Sequence, residues 1–171
     1  MAVLPIRIYP DPSLRKKCAP VGEIDDHLRE LASRMVETLR AAPGAGLAAP
    51  QVGEGIRLVV VDLSVGEDPD QLHILLNPEV ERAEGEQFEE EGCLSLPNVL
   101  EKVRRPARLR VRALNLEGRE VLLDAGGALA RVLQHEIGHL DGTLLFDHLN
   151  RLKRDAIKRR LRKQAKAASV A

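Results

Sequence analysis

The chain has 171 residues, enough for one domain with a real core, and at 44% apolar and 30% charged it is globular rather than disordered. Its 26 Lys plus Arg balance 26 Asp plus Glu, so it has no global basic field, and one Tyr, two Phe and no Trp force an aliphatic core and argue against base stacking on nucleic acid. Two cysteines make no disulfide framework, no apolar run reaches the roughly 18 residues of a membrane span, and Met1-Ala2-Val3-Leu4-Pro5 lacks leader patterning, so a cytoplasmic protein is expected.

Residues 1–22 carry Pro5, Pro10, Pro12 and Pro20 and read as irregular extended chain, with turn chemistry at Tyr9-Pro10-Asp11-Pro12 and a passive thiol at Cys18. Over 25–42, Leu28, Leu31, Met35 and Leu39 share one helical stripe. Asp25 or Asp26 caps it, Pro43-Gly44 stops it, and His27 in its first turn is solvated. Gly44-Ala45-Gly46-Leu47-Ala48-Ala49-Pro50-Gln51 then leaves the backbone nearly bare. Composition reads it as a glycine-rich loop, yet a bare backbone also lets an extended peptide pair with it, and Gln51 is its strong side-chain donor. No Gly-Lys-Ser/Thr closes it, so it is not a phosphate loop.

Ile56 to Val61 is a β-branched run, a buried strand ending at Asp62. Leu72 to Leu76 is a second strand, closed by Asn77-Pro78, with His73 an ordinary member. Val80 to Glu91 reads as a hairpin with Glu84-Gly85-Glu86 at its tip. Its five glutamates (84, 86, 89, 90, 91) read as a solvated edge, since Ca²⁺-loop spacing is absent. In Glu91-Gly92-Cys93-Leu94-Ser95-Leu96-Pro97, Cys93 alone reads as a small buried hydrophobe, although a thiolate is also a strong soft metal ligand. Ala107 to Leu116 alternates Leu109, Val111 and Ala113 with Arg108, Arg110 and Arg112, a half-buried strand that Glu117-Gly118 turns into Arg119 to Leu123. Its arginines belong to no nucleic-acid motif.

Leu129, Val132, Leu133, Glu136, Ile137 and Leu140 recur at helical spacing and predict a helix over 128–141, stopped by Gly142. His135 and His139 stand one turn apart on a single face, so both imidazoles can reach one metal ion. Glu136 lies about 100° round the axis from His135. It can act there as general base for water at the metal, and its place beside the apolar stripe predicts a buried carboxyl of raised proton affinity. From Arg151 to Lys166 nine Lys or Arg face Asp155 alone, along a weak stripe of Leu149, Leu152, Ile157 and Leu161. This segment reads as a solvated terminal helix or as a docking arm for an anionic surface such as RNA.

Cys93, His135 and His139 together offer one sulfur and two nitrogens, and three protein ligands leave a tetrahedral ion one open position. The third ligand precedes the helix, whereas in thermolysin-like and metzincin proteases it follows. With Gly44 to Gln51, Glu91 to Ser95 and Gln134-His135-Glu136-x-x-His139-Leu140 as three ordered motifs, the chain resembles the peptide deformylase family over nearly its whole length. The resemblance implies an α+β fold: antiparallel sheets around the 128–141 helix, an N-terminal helix at 25–42 and a C-terminal helix, all in one catalytic domain over 1–171. It implies Cys93, His135 and His139 as ligands of Fe²⁺, with Zn²⁺, Ni²⁺ or Co²⁺ as substitutes. Glu136 is then the acid/base, Gln51 and the Leu94 amide the oxyanion donors, and Gly46 a partner for the substrate backbone. Val132, by helical position, lines a pocket for the methionine side chain.

The implied reaction is hydrolysis of N-formyl-methionyl nascent peptides to formate and a free amino terminus. Further expectations are contact with the ribosome through the basic tail, no membrane and no sequence-specific nucleic acid. A metallopeptidase of internal amide specificity and a non-catalytic ribosome-binding descendant are the rival readings. Two positions depart from the family pattern. Gly138 replaces an Asp whose partner the resemblance suggests is Arg105, predicting lower rigidity around His139. Leu100 stands where many members carry a substrate-holding Arg.

Overall fold

The computed structural model describes residues 3–170; Met1 and Ala2 of the stretch read as lacking leader patterning, and Ala171 of the basic tail, lie outside the described residues. Helix α1 (Asp26–Ala41) starts where Asp25 accepts the amide of Leu28 at 2.8 Å. Seven strands follow in chain order: β1 (Gly46–Ala48), β2 (Leu58–Asp62), β3 (Leu72–Glu84), β4 (Gln87–Cys93), β5 (Leu96–Arg105), β6 (Arg108–Leu114) and β7 (Glu120–Gly126). Helices α2 (Gly127–Leu140) and α3 (Arg151–Val170) complete the chain.

One antiparallel sheet has the order β1-β2-β3-β6-β7, and β4 pairs with β5 in a sheet of their own. The five-stranded sheet is covered on both faces, which explains the unbroken apolar run of β2. Val59 and Val61 join Leu133, Ile137 and Leu140 of α2, while Leu58 and Val60 join Leu31, Met35 and Leu39 of α1. A third core ties the β4–β5 sheet to α3: Leu96, Val99 and Val103 pack with Tyr9, Phe146, Ile157 and Leu161. The architecture is the α+β arrangement expected. Among the described residues no helix is long and apolar enough to cross a membrane.

Several local readings are corrected. Gly44 to Gln51 is not a loop: Gly46, Leu47 and Ala48 pair with Val61, Val60 and Val59, and a 3₁₀ turn spans Ala49–Val52. Asn77-Pro78 does not close a strand. β3 runs on through 13 residues because the register shifts between Leu76 and Glu79, which accommodates the missing proline amide. The chain does reverse at Gly85, at φ +70°, but the two arms pair with β6 and β5 rather than with each other. Leu152 leaves the predicted stripe and is 82% exposed, whereas Ile157 and Leu161 are buried. Gly142, at φ +76°, does stop α2, and an added Cβ there would lie 2.6 Å from the Arg15 carbonyl oxygen.

Candidate active site

The apolar stripe of α2 seats the helix on the sheet and turns His135 and His139 towards the end of β4. There the β4–β5 register shifts between Gly92 and Cys93, and Cys93 packs partly buried against the third core. Cys93 Sγ lies 3.5 Å from His139 Nε2, and the two Nε2 atoms lie 3.2 Å apart. All three donor atoms fall within 4.8 Å of one another. A tetrahedral ion with bonds of about 2.0–2.3 Å separates its ligand atoms by about 3.3–3.7 Å, so the cluster has the dimensions of such a site. The donor set of one thiolate and two imidazoles suits a first-row transition ion.

The orientation of the His135 ring follows from a buried pair behind it. Glu91 Oε1 lies 3.0 Å from His135 Nδ1, which fixes the ring with Nε2 turned towards the cluster. The Arg105 fork grips the same carboxylate at 2.8 and 2.9 Å, and its third nitrogen stands 3.3 Å from His148 Nε2. Burial alone would raise the Glu91 carboxyl; Arg105 and His135 overcome it and hold it at about 2. Glu91 is therefore a buried anion and not part of a solvated edge. Arg105 serves Glu91, so the glycine at 138 does not strand it.

Burial would likewise push the His135 imidazole down, but the Cys93 sulfur, Glu91 and the Glu136 charge outweigh it and lift it to about 10. His139, buried and facing His135 and Arg105, is held well below the ordinary imidazole range.

Glu136 is 4% exposed, and burial above all lifts its carboxyl to about 7, as its place on the stripe predicts. Its Oε2 atom has no hydrogen-bond partner among the described residues. Its other face packs against β1 so tightly that a Cβ on Gly46 would lie 2.6 Å from Oε1 and 2.7 Å from Cγ. Gln51 is 1% exposed, with Nε2 3.9 Å from Cys93 Sγ.

A cavity of about 560 Å³ opens over these groups. Gly46, Gln51, Cys93, Leu94, Val132, His135 and Glu136 line it, so all the expected site residues except the deeper His139 meet there. Leu100, 64% exposed, stands at the same cavity with Glu90 and Arg131. Ser95 and Glu91 drew no site role from the sequence, and Arg105 was expected only as the partner of the residue that Gly138 replaces. The only signal was the proximity of Glu91 and Ser95 to Cys93 in the chain.

Comparison with known proteins agrees with this geometry. The family described as polypeptide deformylase matches residues 3–155. The chain is 48% identical over 167 residues to a peptide deformylase of Acidobacterium capsulatum, covering 98% of each chain. It is similar in structure to a peptide deformylase from Legionella pneumophila, with a TM-score of 0.91 and 38% identity over 98% of both chains. It is also similar to the enzyme of that name from Thermus thermophilus, with a TM-score of 0.87 and 43% identity over 95% of each.

Proposed function

This chain belongs to the polypeptide deformylase family, and from that premise we propose how its own residues carry out the reaction. It is a metal-dependent hydrolase that removes the formyl group from the N-terminal formyl-methionine of newly synthesised polypeptides and releases formate. In our reading Cys93, His135 and His139 hold the ion, which when bound activates water and polarises the formyl carbonyl. Fe²⁺ is the ion we assign, with Zn²⁺, Ni²⁺ or Co²⁺ able to replace it, since each accepts thiolate and imidazole together.

Glu136 takes the proton of the attacking water and passes it to the departing amine. A carboxyl near 7 is matched to both tasks at neutral pH. Side-chain N–H of Gln51 and backbone N–H of Leu94 donate to the negative charge that builds on the formyl oxygen. Gly46 lies on β1, at the margin of the sheet, where an extended substrate can add as a further strand. Val132 and Leu94 give the methionine side chain an apolar wall. We assign the whole chain to one catalytic domain acting in a bacterial-type cytoplasm.

The exposed basic residues of α3, among them Arg151, Lys153, Arg159, Arg160 and Lys163, support a docking surface for ribosomal RNA.

One observation carries the reading: three soft and borderline donors converge at 3.2 and 3.5 Å beside a buried carboxylate oxygen that has no hydrogen-bond partner among the described residues. Protein purified anaerobically with iron should release formate from formyl-Met-Ala-Ser and leave an unblocked peptide intact. Cys93→Ser should lose metal and turnover together. Full iron content with full turnover in that variant refutes the ligand assignment.

A further inference from the structure

A buried primary amide can sit either way round, and its neighbours decide which end faces the chemistry. For Gln51 the choice is forced. Its Oε1 accepts the backbone N–H of Ala48 at 2.9 Å, so the other end is Nε2. Nε2 donates to Ser95 Oγ at 3.1 Å and, over a longer 3.9 Å, to Cys93 Sγ. An amide nitrogen carries two hydrogens. With one engaged by Ser95, the second is directed to the side of the cavity where Cys93 lies, in a long contact with its sulfur.

We propose that Ser95 is a positioning residue for deformylation, holding the Gln51 amide so that the N–H it turns towards Cys93 meets the oxyanion; this rests on the oxyanion role assigned to Gln51. Ser95 is wholly buried and touches no reacting atom in this scheme, so it acts through Gln51 alone. The backbones of the two residues are also set against each other. Arg7 N–H donates to the Gln51 carbonyl at 2.6 Å, and Tyr9 N–H donates to the Ser95 carbonyl at 3.0 Å. Arg7 and Tyr9 are two positions apart, so one short segment clips both carbonyls. Tyr9 is itself pinned, edge-on to Phe146 at 5.1 Å between ring centres. A serine that merely filled space here could become alanine with no effect on turnover.

The test measures kcat and KM for formyl-Met-Ala-Ser in iron-loaded wild type, Ser95→Ala, Gln51→Ala and the double variant. Iron content and thermal midpoint are taken for each. The Gln51 side-chain ¹⁵N–¹H signals are recorded in zinc-loaded wild type and Ser95→Ala. Ser95→Ala should lower kcat about 10-fold, part of the roughly 10²–10³ that one oxyanion donor supplies, with KM within about twofold and iron unchanged. In the Gln51→Ala background the same change should cost less than about twofold, because Ser95 has lost the group it orients.

Wild type should show two resolved, slowly exchanging Gln51 side-chain protons that lose protection in Ser95→Ala. Wild-type kcat in Ser95→Ala beside a large loss in Gln51→Ala overturns the proposal and leaves the Gln51 reading intact. Equal losses on both backgrounds also overturn it. Full turnover in Gln51→Ala overturns the Gln51 reading and the proposal with it. Should Ser95→Ala not fold, averaged and fast-exchanging Gln51 protons in wild type overturn the proposal unaided.

Discussion

The carboxylate of Glu136 shows how one atom too many can be decisive. Gly46 has no unusual backbone angle; it is glycine because Glu136 occupies the space a side chain would take. Gly46→Ala places a methyl 2.6–2.9 Å from three atoms of a carboxylate that is 4% exposed and so has little room to retreat. A displacement of about 1 Å at a catalytic group costs on the order of 10²-fold. We therefore expect kcat for formyl-peptide to fall by about that factor with metal content unchanged, measured by formate release and metal analysis. At Asp147 a different balance applies. Burial would raise its carboxyl, but Arg15 at 2.6 Å and the Leu144 amide at 2.8 Å outweigh it and hold the group below the ordinary aspartate range. Its folded value is thus below the unfolded value of about 3.9, so its stabilisation is complete above that pH and fades as pH falls through the folded value. Asp147→Asn should lower unfolding free energy at pH 7 by about 1 kcal/mol, since the pair is part-exposed. In urea titrations that gap from wild type should shrink below about pH 4.

Within α2, the glycine at 138 is a helix-weakening residue beside the proposed ligand His139. A Cβ there would meet Thr143 Cβ at 3.7 Å, ordinary contact, and the Gly138 carbonyl already receives the amides of Asp141 and Thr143. Gly138→Ala should raise stability by about 1 kcal/mol, read as a higher thermal midpoint, with metal affinity retained. Helix α2 and its histidines are legible in the sequence because helical spacing is a local property: positions 135, 136 and 139 fix their own geometry. Strand β5 is not legible. Its buried Leu96, Val99 and Val103 are spaced three and four apart, a helix-like period, because Asn98 at φ +60° breaks the alternation. Glu91 is equally hidden. Its burial depends on Arg105, fourteen residues on across the β4–β5 pair, and no nearby residue announces that partner. The Asn77-Pro78 stop fails for a related reason, since a bulge in the partner register is a property of two strands and not of one.

Across the whole molecule, charge and packing divide unevenly. Nine basic residues against one acidic residue in 151–166 give that segment an excess of eight positive charges in a chain of zero net charge. Among the described residues of the helix that carries them, Ile157 and Leu161 are the buried ones, joined by polar contacts from Lys153 to Glu101 and from Arg160 to the Asn98 carbonyl. The proposed ligands His135 and His139 hang from α2 on the five-stranded sheet, whereas Cys93 belongs to the β4–β5 sheet, and among the described residues no strand pairing joins the two. Chelating the ion should therefore raise amide hydrogen exchange across 87–105 more than in α2, whose seat on the sheet is independent of the metal. The reaction centre is in this sense also a rivet between two plates. Any compound that grips the ion should tighten the whole assembly and shift its melting point, so inhibitors could be screened by heat alone, with no substrate in the tube.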